Sequence, residues 1–184
     1  MIRRSAINNT SVTASIGAGE NHIGQIGGAT VKTVSTFTRP ANVTAYAAND
    51  IVSDDSAITL TSALRVSGGS GYITGIRIIT GATGITPRFR VHFAKTSAQF
   101  TTTADNAANA NTYANISSAS YLGFMDLSAL QSQGSALTSF VQDNSQRVPI
   151  SGTTADIFAI IETLDAFTPI SEQTFTVQIF VEQN

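Results

Sequence analysis

Few side chains in this sequence could do chemistry, and the two histidines are the first to test. His92 alternates with Arg88 and Arg90 along a run of apolar and polar residues, whereas His22 lies in a glycine-rich stretch. A zinc site needs several histidine, cysteine or carboxylate ligands that converge on one point. Two histidines in such different settings, in a chain without cysteine, do not supply that set. We therefore expect neither a metal ligand nor a general base among them.

The acidic residues give two further candidates. Asp50, Asp54 and Asp55 form the densest group, but a calcium loop spaces its aspartates two apart and closes with a glutamate. A solvated turn is the favoured interpretation. Glu162 and Asp165 could lie close together at a strand end, yet glycosidase chemistry needs two carboxyls at a fixed separation in a cleft, usually with aromatic platforms, and the chain has no tryptophan. We predict no catalytic residue, no metal site and no cofactor.

The serines do not form a recognisable nucleophile motif. A nucleophile elbow has the pattern Gly-x-Ser-x-Gly leading into a helix, and a phosphate-binding loop opens a helix with Gly-Lys-Ser/Thr. Residues 68–71 (GGSG) are instead followed by a predicted strand that starts at Tyr72, so they predict a turn. The chain is predicted not to be an enzyme, and a β-sandwich hydrolase is the least favoured hypothesis.

The amino-acid composition limits the classes of partner that the chain can bind. With 184 residues the chain fits one domain, and its 12% of charged residues is about half the usual share. The formal net charge of -2 argues against nucleic acid, which needs a basic stripe that releases counterions. No apolar run is long enough for a membrane helix, and no apolar segment follows Arg3 and Arg4 as in a signal peptide. We predict neither a nucleic-acid nor a membrane partner.

The elements that must position these residues are strands. Residues 88–94 alternate with period two, which places Phe89, Val91 and Phe93 inward and the basic residues outward. Strands are predicted at 31–38, 51–52, 72–80, 88–94, 121–127, 136–141, 147–150, 156–164 and 174–181. The polar segment 97–120 could be a long loop, a short helix or a lattice-contacting insertion. This pattern predicts an all-β fold, an antiparallel two-sheet sandwich that is jelly-roll-like, with 156–164 as a central strand and 121–127 as a buried one.

Residues 1–30 show no periodicity and are predicted to form an extended N-terminal arm ahead of a β-sandwich domain at 31–184. Glycine loses much backbone entropy when it becomes ordered, so such a stretch orders only against a partner. It is either a disordered tail or an arm that docks on a neighbouring subunit. In the second case the glycines allow close backbone approach and the isoleucines act as anchors. The predicted partner-binding residues are Gly17, Gly19, Ile23, Gly24, Ile26, Gly27 and Gly28.

Residues 37–53 (FTRPANVTAYAANDIVS) are similar to a recurring segment of small virion proteins of tailed bacteriophages. In that group an Arg-Pro-Ala segment precedes Thr-Ala-Tyr and a Gly/Asn-Asp-Val/Ile strand. Residues 24–28 (GQIGG) and 68–72 (GGSGY) also resemble it, so the resemblance extends over residues 23–80. It implies a head decoration or cement protein on the capsid surface of the virion, made in the host cytoplasm. Such proteins are commonly β-rich homo-oligomers, often trimers, and bind the major capsid protein.

Local chemistry also explains this segment. Pro40 fixes a turn, Tyr46 has a ring to bury and a hydroxyl to pair, and Asn49 with Asp50 can form an Asx-type turn. A corner of the sandwich is therefore favoured over a binding site. The alternative function is a tail or fibre module that recognises a host surface glycan, for which the candidate exposed aromatics are Tyr46, Tyr113 and Tyr121.

Overall fold

The structure is a computed structural model that describes residues 29–81, 85–132 and 139–184. Its strands are β1 (Ala29–Thr38), β2 (Ile51–Val52), β3 (Ile58–Leu60), β4 (Ser70–Thr80), β5 (Phe89–Ala94), β6 (Tyr121–Leu127), β7 (Gln131–Ser132), β8 (Ser139–Asp143), β9 (Val148–Ser151), β10 (Ile157–Thr163) and β11 (Thr174–Gln183). A 3-10 helix at Ser97–Gln99 and the short helix α1 (Tyr113–Ile116) lie between β5 and β6. The described residues include no helix long and apolar enough to cross a membrane.

The strands form two antiparallel sheets packed as a sandwich. The first sheet has the order β1-β11-β4-β8-β7, with β9 also paired to β4. The second has the order β2-β10-β5-β6, with β3 also paired to β10. The chain crosses repeatedly between the sheets, and β1 lies beside β11, as in a double Greek-key jelly roll. The predicted all-β, jelly-roll-like sandwich is confirmed.

The core lies between the two sheets and follows from period-two alternation. In β11, buried residues from Phe175 to Val181 alternate with partly buried ones, while β5 contributes Phe89 and Phe93. The rings interlock: Phe175 stacks on Phe37 with 5.6 Å between centroids and meets Phe89 edge-on at 6.0 Å. Such edge-on and offset ring pairs are the preferred aromatic arrangements. This alternation is what the sequence predicted for both strands.

The second sheet is covered on its outer face as well. Residues 95–120, here called the cover segment, run from β5 to β6 across this face, and Phe100 packs there with Ile160, Ala94 and Ile51. For this reason the central strand β10 has apolar residues on both faces from Ile157 to Ile161 and is buried along most of its length. Backbone bonds hold the cover segment beside β2: Ala107 and Asn106 exchange bonds with Ile51 at 2.8 Å each. Residues 97–120 therefore combine loop with two short helical turns, and the hypothesis of a lattice-contacting insertion stays a prediction.

Three other expectations need comment. The short strand β3 was not predicted. The strand at 121–127 is present, but β6 ends the second sheet, and Phe124 is 44% exposed, so the expectation of a buried strand was wrong. The predicted arm residues 17–28 lie outside the described residues. β1 begins at Ala29. The division of the chain into an arm at 1–30 and a domain at 31–184 stays a prediction.

Candidate functional site

A buried charged cluster fastens the cover segment to the end of β1. Arg39 directly follows β1, and its Nη2 lies 2.8 Å from Oδ2 of Asp105 in the cover segment, with side chains 0% and 3% exposed. The Tyr46 hydroxyl donates to Asp105 Oδ1, and the Ser53 backbone N–H donates to the same atom at 3.2 Å. Arg39 Nε also donates to the Tyr46 hydroxyl. A buried ion pair is tolerated when further hydrogen bonds satisfy both charges, and this cluster meets that condition.

Tyr46 agrees with the interpretation of its segment as a corner of the sandwich. Its ring is buried and stacks on Phe167 with 4.7 Å between centroids, and its hydroxyl is paired with Asp105. Burial and the hydrogen bond to Asp105 raise the pKa of Tyr46 well above its usual value, so the hydroxyl remains a neutral donor. The segment is therefore a corner of the sandwich. Arg39 was missed as a site residue because the sequence analysis considered it only as the residue before Pro40.

A second buried cluster lies where the cover segment crosses β5 and β10. His92 Nε2 is 2.6 Å from Glu162 Oε2, and His92 Nδ1 is 2.7 Å from the Tyr121 hydroxyl. Asn109 of the cover segment donates to Glu162 Oε2 at 3.1 Å. His92 points to the outer face of its sheet as predicted, but it is buried there together with Glu162. The cover segment, which the sequence did not place, explains the burial.

The charges of this cluster are fixed by its contacts. Burial alone would raise the pKa of Glu162, but the hydrogen bonds from His92 and Asn109 and the charges of His92 and Arg90 outweigh it and lower the pKa. Glu162 is thus an ionised acceptor at neutral pH. Burial raises the pKa of Tyr121 to about 12, against the opposing charge of Arg90.

Tyr121, His92 and Glu162 are hydrogen-bonded in the order of a hydroxyl–imidazole–carboxylate relay. The pKa of Tyr121 decides whether its hydroxyl suits the role of nucleophile in such a relay. A nucleophile in such a relay needs a lowered pKa or an adjacent base that removes its proton. The raised pKa of Tyr121 works in the opposite direction. Within residues 29–81, 85–132 and 139–184, no group of three or more His, Asp or Glu residues could hold a metal ion. We interpret the cluster as a structural clamp on the cover segment.

The three clustered aspartates accept hydrogen bonds from backbone N–H groups and so have structural roles. Asp50 is buried and accepts the Ala47 backbone N–H at 2.6 Å, so its assignment to a solvated turn was wrong, although a turn is present. Exposed Asp55 accepts the backbone N–H of Asp105 at 2.8 Å. Asp54 is exposed and bonds to the Ser56 N–H at 3.2 Å, as a turn residue would.

Glu162 and Asp165 do not act as a carboxylate pair. Asp165 instead forms a salt bridge with Arg88, Oδ1 to Nη2 at 2.8 Å. The hydrogen bonds from Arg88 lower the pKa of Asp165 to about 2. Each carboxylate is therefore committed to a basic partner of its own, which leaves no free acid for glycosidase chemistry in this pair.

Among the described residues, no segment covers the outer face of the first sheet, in contrast to that of the second. We call it the open face; it is formed by the outward residues of β1, β11 and β4. Thr36 and Thr176 are 2.9 Å apart at their hydroxyls, and Thr38 and Thr174 are 3.4 Å apart. Val34 in the middle of β1 is 46% exposed. Further outward residues that are exposed or half-buried are Thr30, Lys32, Tyr72, Arg77, Ile79, Gln178 and Phe180.

The aromatic candidates for glycan recognition are placed differently from the prediction. Tyr46 is 2% exposed, so its assignment as an exposed loop aromatic was wrong: its ring fills the corner of the sandwich. Tyr121 is half-buried and bonded to His92. The side chain of Tyr113 lies outside what the structure describes, and its role stays a prediction.

Comparisons with known proteins add one likeness. A scan against family models finds no match, and no curated protein matches the sequence. Among solved structures, the chain is similar to one described as "Cyanophage Pam1 capsid asymmetric unit", at 9% identity and a TM-score of 0.36, over 97% of this chain and 100% of that one. So low a score does not establish a shared fold, and the likeness assigns no function to this chain.

Proposed function

We propose that this chain is a structural virion protein that binds and stabilises the capsid surface of a phage, as a decoration or cement protein. The observation that carries the proposal is the difference between the two outer sheet faces. One is closed by the cover segment through two buried polar clusters, whereas the open face presents hydroxyls with exposed Val34 and half-buried Phe180. A face of this composition suits a protein partner better than a small substrate.

The order of the chain supports the same surface. The arm precedes Ala29, the first residue of β1, and β1 forms one edge of the open face. A partner that contacts the open face is therefore within reach of the glycines and isoleucines of residues 17–28. The low charge of the chain, 12% of residues, fits a subunit that gains stability from neighbours. We propose the major capsid protein as the partner, and a homo-oligomer, with a trimer favoured, as the bound form.

The resemblance of residues 23–80 to small virion proteins of tailed phages is consistent with this role. The polar clusters also favour a non-enzymatic protein, because their titratable groups are enclosed and paired with one another. A virion location on the capsid surface follows from the proposed partner.

Capsid binding tests the proposal directly. Purified undecorated capsids are mixed with the chain and sedimented, and the bound fraction is measured for wild type, a deletion of residues 1–28, and Val34→Asp. We expect both variants to lose attachment, the second because a carboxylate on the open face must be desolvated on docking. Val43→Asp is the matched control: Val43 is 59% exposed in the corner loop, away from the open face, and should bind normally.

Native mass spectrometry of the same samples reports the oligomer. If the deletion variant and the Val34→Asp variant both sediment with capsids as wild type does, the proposed docking surface is refuted. A monomer at the concentration at which capsids become saturated would refute the trimer.

A further inference from the structure

A cleft of about 420 Å³ lies between β9, with its neighbour β4, in the first sheet and the start of β6 in the second. In the described part of the chain β9 pairs only with β4, and β6 pairs only with β5. The cleft therefore lies along the side where two sheet edges approach each other without pairing. It adjoins the open face at Tyr72 and the His92 cluster at Tyr121, and its volume is in the range of small-molecule sites.

Two tyrosines and one lysine are among the residues that line this cleft. Tyr72 belongs to the first sheet, Tyr121 to the second, and Lys95 follows β5. The other polar residues of the lining are Ser70, Ser151 and Asn184. The combination places aromatic surface, hydroxyls and one positive charge around a single space.

Both rings are held in place from outside the cleft. The Arg147 guanidinium lies 4.0 Å from the centroid of Tyr72 and is itself held by Glu182 at 2.8 Å. The Tyr121 hydroxyl is 2.7 Å from His92 Nδ1. Side chains held by neighbours lose less entropy when a ligand binds. The two aromatic walls are thus preorganised.

Lys95 gives the cleft its charge. Its backbone N–H donates to Ser120 at 2.8 Å, which fixes the start of its side chain at the rim. No Asp or Glu side chain lines the cleft, and none of the ion pairs of the described residues includes Lys95. An ammonium group in this setting is available to an anionic ligand.

We propose that this cleft binds an acidic saccharide, with the sugar carboxylate paired to Lys95. The C–H faces of a sugar ring pack against tyrosine rings, and its hydroxyls bond with the side chains of Ser70 and Ser151. A single cation does not suit a polyanion such as nucleic acid, which needs several. An isolated chain, without capsids, is sufficient to test the site.

The test measures binding of two acidic probes, trigalacturonate and 3′-sialyllactose, to the full chain by ligand-observed NMR and calorimetry. Lactose and maltotriose serve as neutral probes. We expect at least one acidic probe to bind at millimolar concentration or better, and Lys95→Gln to weaken that binding about tenfold, since charge-assisted hydrogen bonds are the stronger kind. Tyr72→Ala should weaken the same probe through loss of ring contact.

Lys32→Gln is the matched control, because it removes the same charge from the outer face of β1 and should leave affinity unchanged. Several outcomes would overturn the proposal: no binding of either acidic probe, equal loss in both lysine variants, or neutral probes that bind as well as acidic ones. If a peptide of residues 1–28 binds in the cleft and no saccharide does, the cleft is a site for a protein segment, and the proposal is also overturned.

Discussion

Replacing Asp105 with alanine would leave the guanidinium of Arg39 buried without its counter-ion. The salt bridge joins Nη2 to Oδ2 at 2.8 Å, and neither side chain has appreciable exposure. Arg39 would retain its bond to Tyr46 and a 3.4 Å bond from Nη1 to the Ile170 carbonyl, but no carboxylate within the contacts described for it. Since the guanidinium cannot lose its proton, the charge must be borne in the protein interior or the corner must open to water.

Removing one partner of a buried pair costs about 3–5 kcal/mol, a large part of the roughly 5–15 kcal/mol that stabilises an ordinary domain. The same change leaves the Tyr46 hydroxyl and the Ser53 N–H without their acceptor. Urea unfolding should show a lower midpoint with an unchanged slope, because stability is lost without a change in the surface exposed on unfolding.

The double variant Arg39→Met with Asp105→Ala separates charge from packing. It removes the unpaired charge, so we expect it to be more stable than Asp105→Ala alone, with a residual cost of about 1–3 kcal/mol for the polar groups left unpaired. Asp165→Ala is the control: it breaks the solvent-exposed pair with Arg88, which should change the midpoint little. The reasoning is refuted if Asp105→Ala is as stable as the control, or if the double variant is the less stable of the two.

Two further predictions concern the clamp and the sheet. Because the pKa of Glu162 is lowered below 4.5 in the folded chain, its stabilising contribution is complete above the pKa of the unfolded chain and disappears as pH falls through the folded pKa. Thermal melts from pH 7 to pH 3 should therefore show a smaller acid-induced loss for Glu162→Gln than for wild type; equal losses would contradict the clamp. Gly71→Ala would place a Cβ 2.5 Å from the Glu182 carbonyl oxygen and should cost about 1–3 kcal/mol as overpacking. Gly81→Ala meets nothing within 4 Å and should unfold like wild type.

The strands and their sandwich were predictable because the alternation of apolar and polar residues is a local signal. β5 shows it from Phe89 to Phe93 and β11 from Thr174 to Ile179, and each needs only its own residues to be recognised. β3 has three residues after an acidic turn, too few for a period to be visible. The place of β6 at the edge of its sheet could not be predicted. An apolar strand shows the same sequence pattern whether another strand or solvent lies beside it.

The buried clusters were predictable only in part, for a related reason. Tyr46 was identified because an amphipathic residue after a proline turn needs both a packed ring and a hydroxyl partner. Its partner Asp105 lies 59 residues away from it in sequence, and Arg39 lies 66 residues from Asp105. Their pairing depends on the path of the cover segment, which has no periodicity of its own. One cue was available: in a chain with so few charges, a lone arginine beside a buried tyrosine requires a carboxylate.

His92 illustrates why the two outer faces must be judged separately. A polar residue on the outward side of a strand is normally solvated, but Asn109 and the apolar residue Phe100 bring the cover segment over this face. The outward polar groups of β5 and β10 are then matched by the polar groups of the segment itself, which is why a polar sequence can bury them. No comparable match is found for the described part of the first sheet, where Val34 remains exposed beside a ladder of threonine hydroxyls. Within the described residues the open face is thus the outer face without a covering segment, and it is the surface that the Val34→Asp variant tests in the capsid-binding assay.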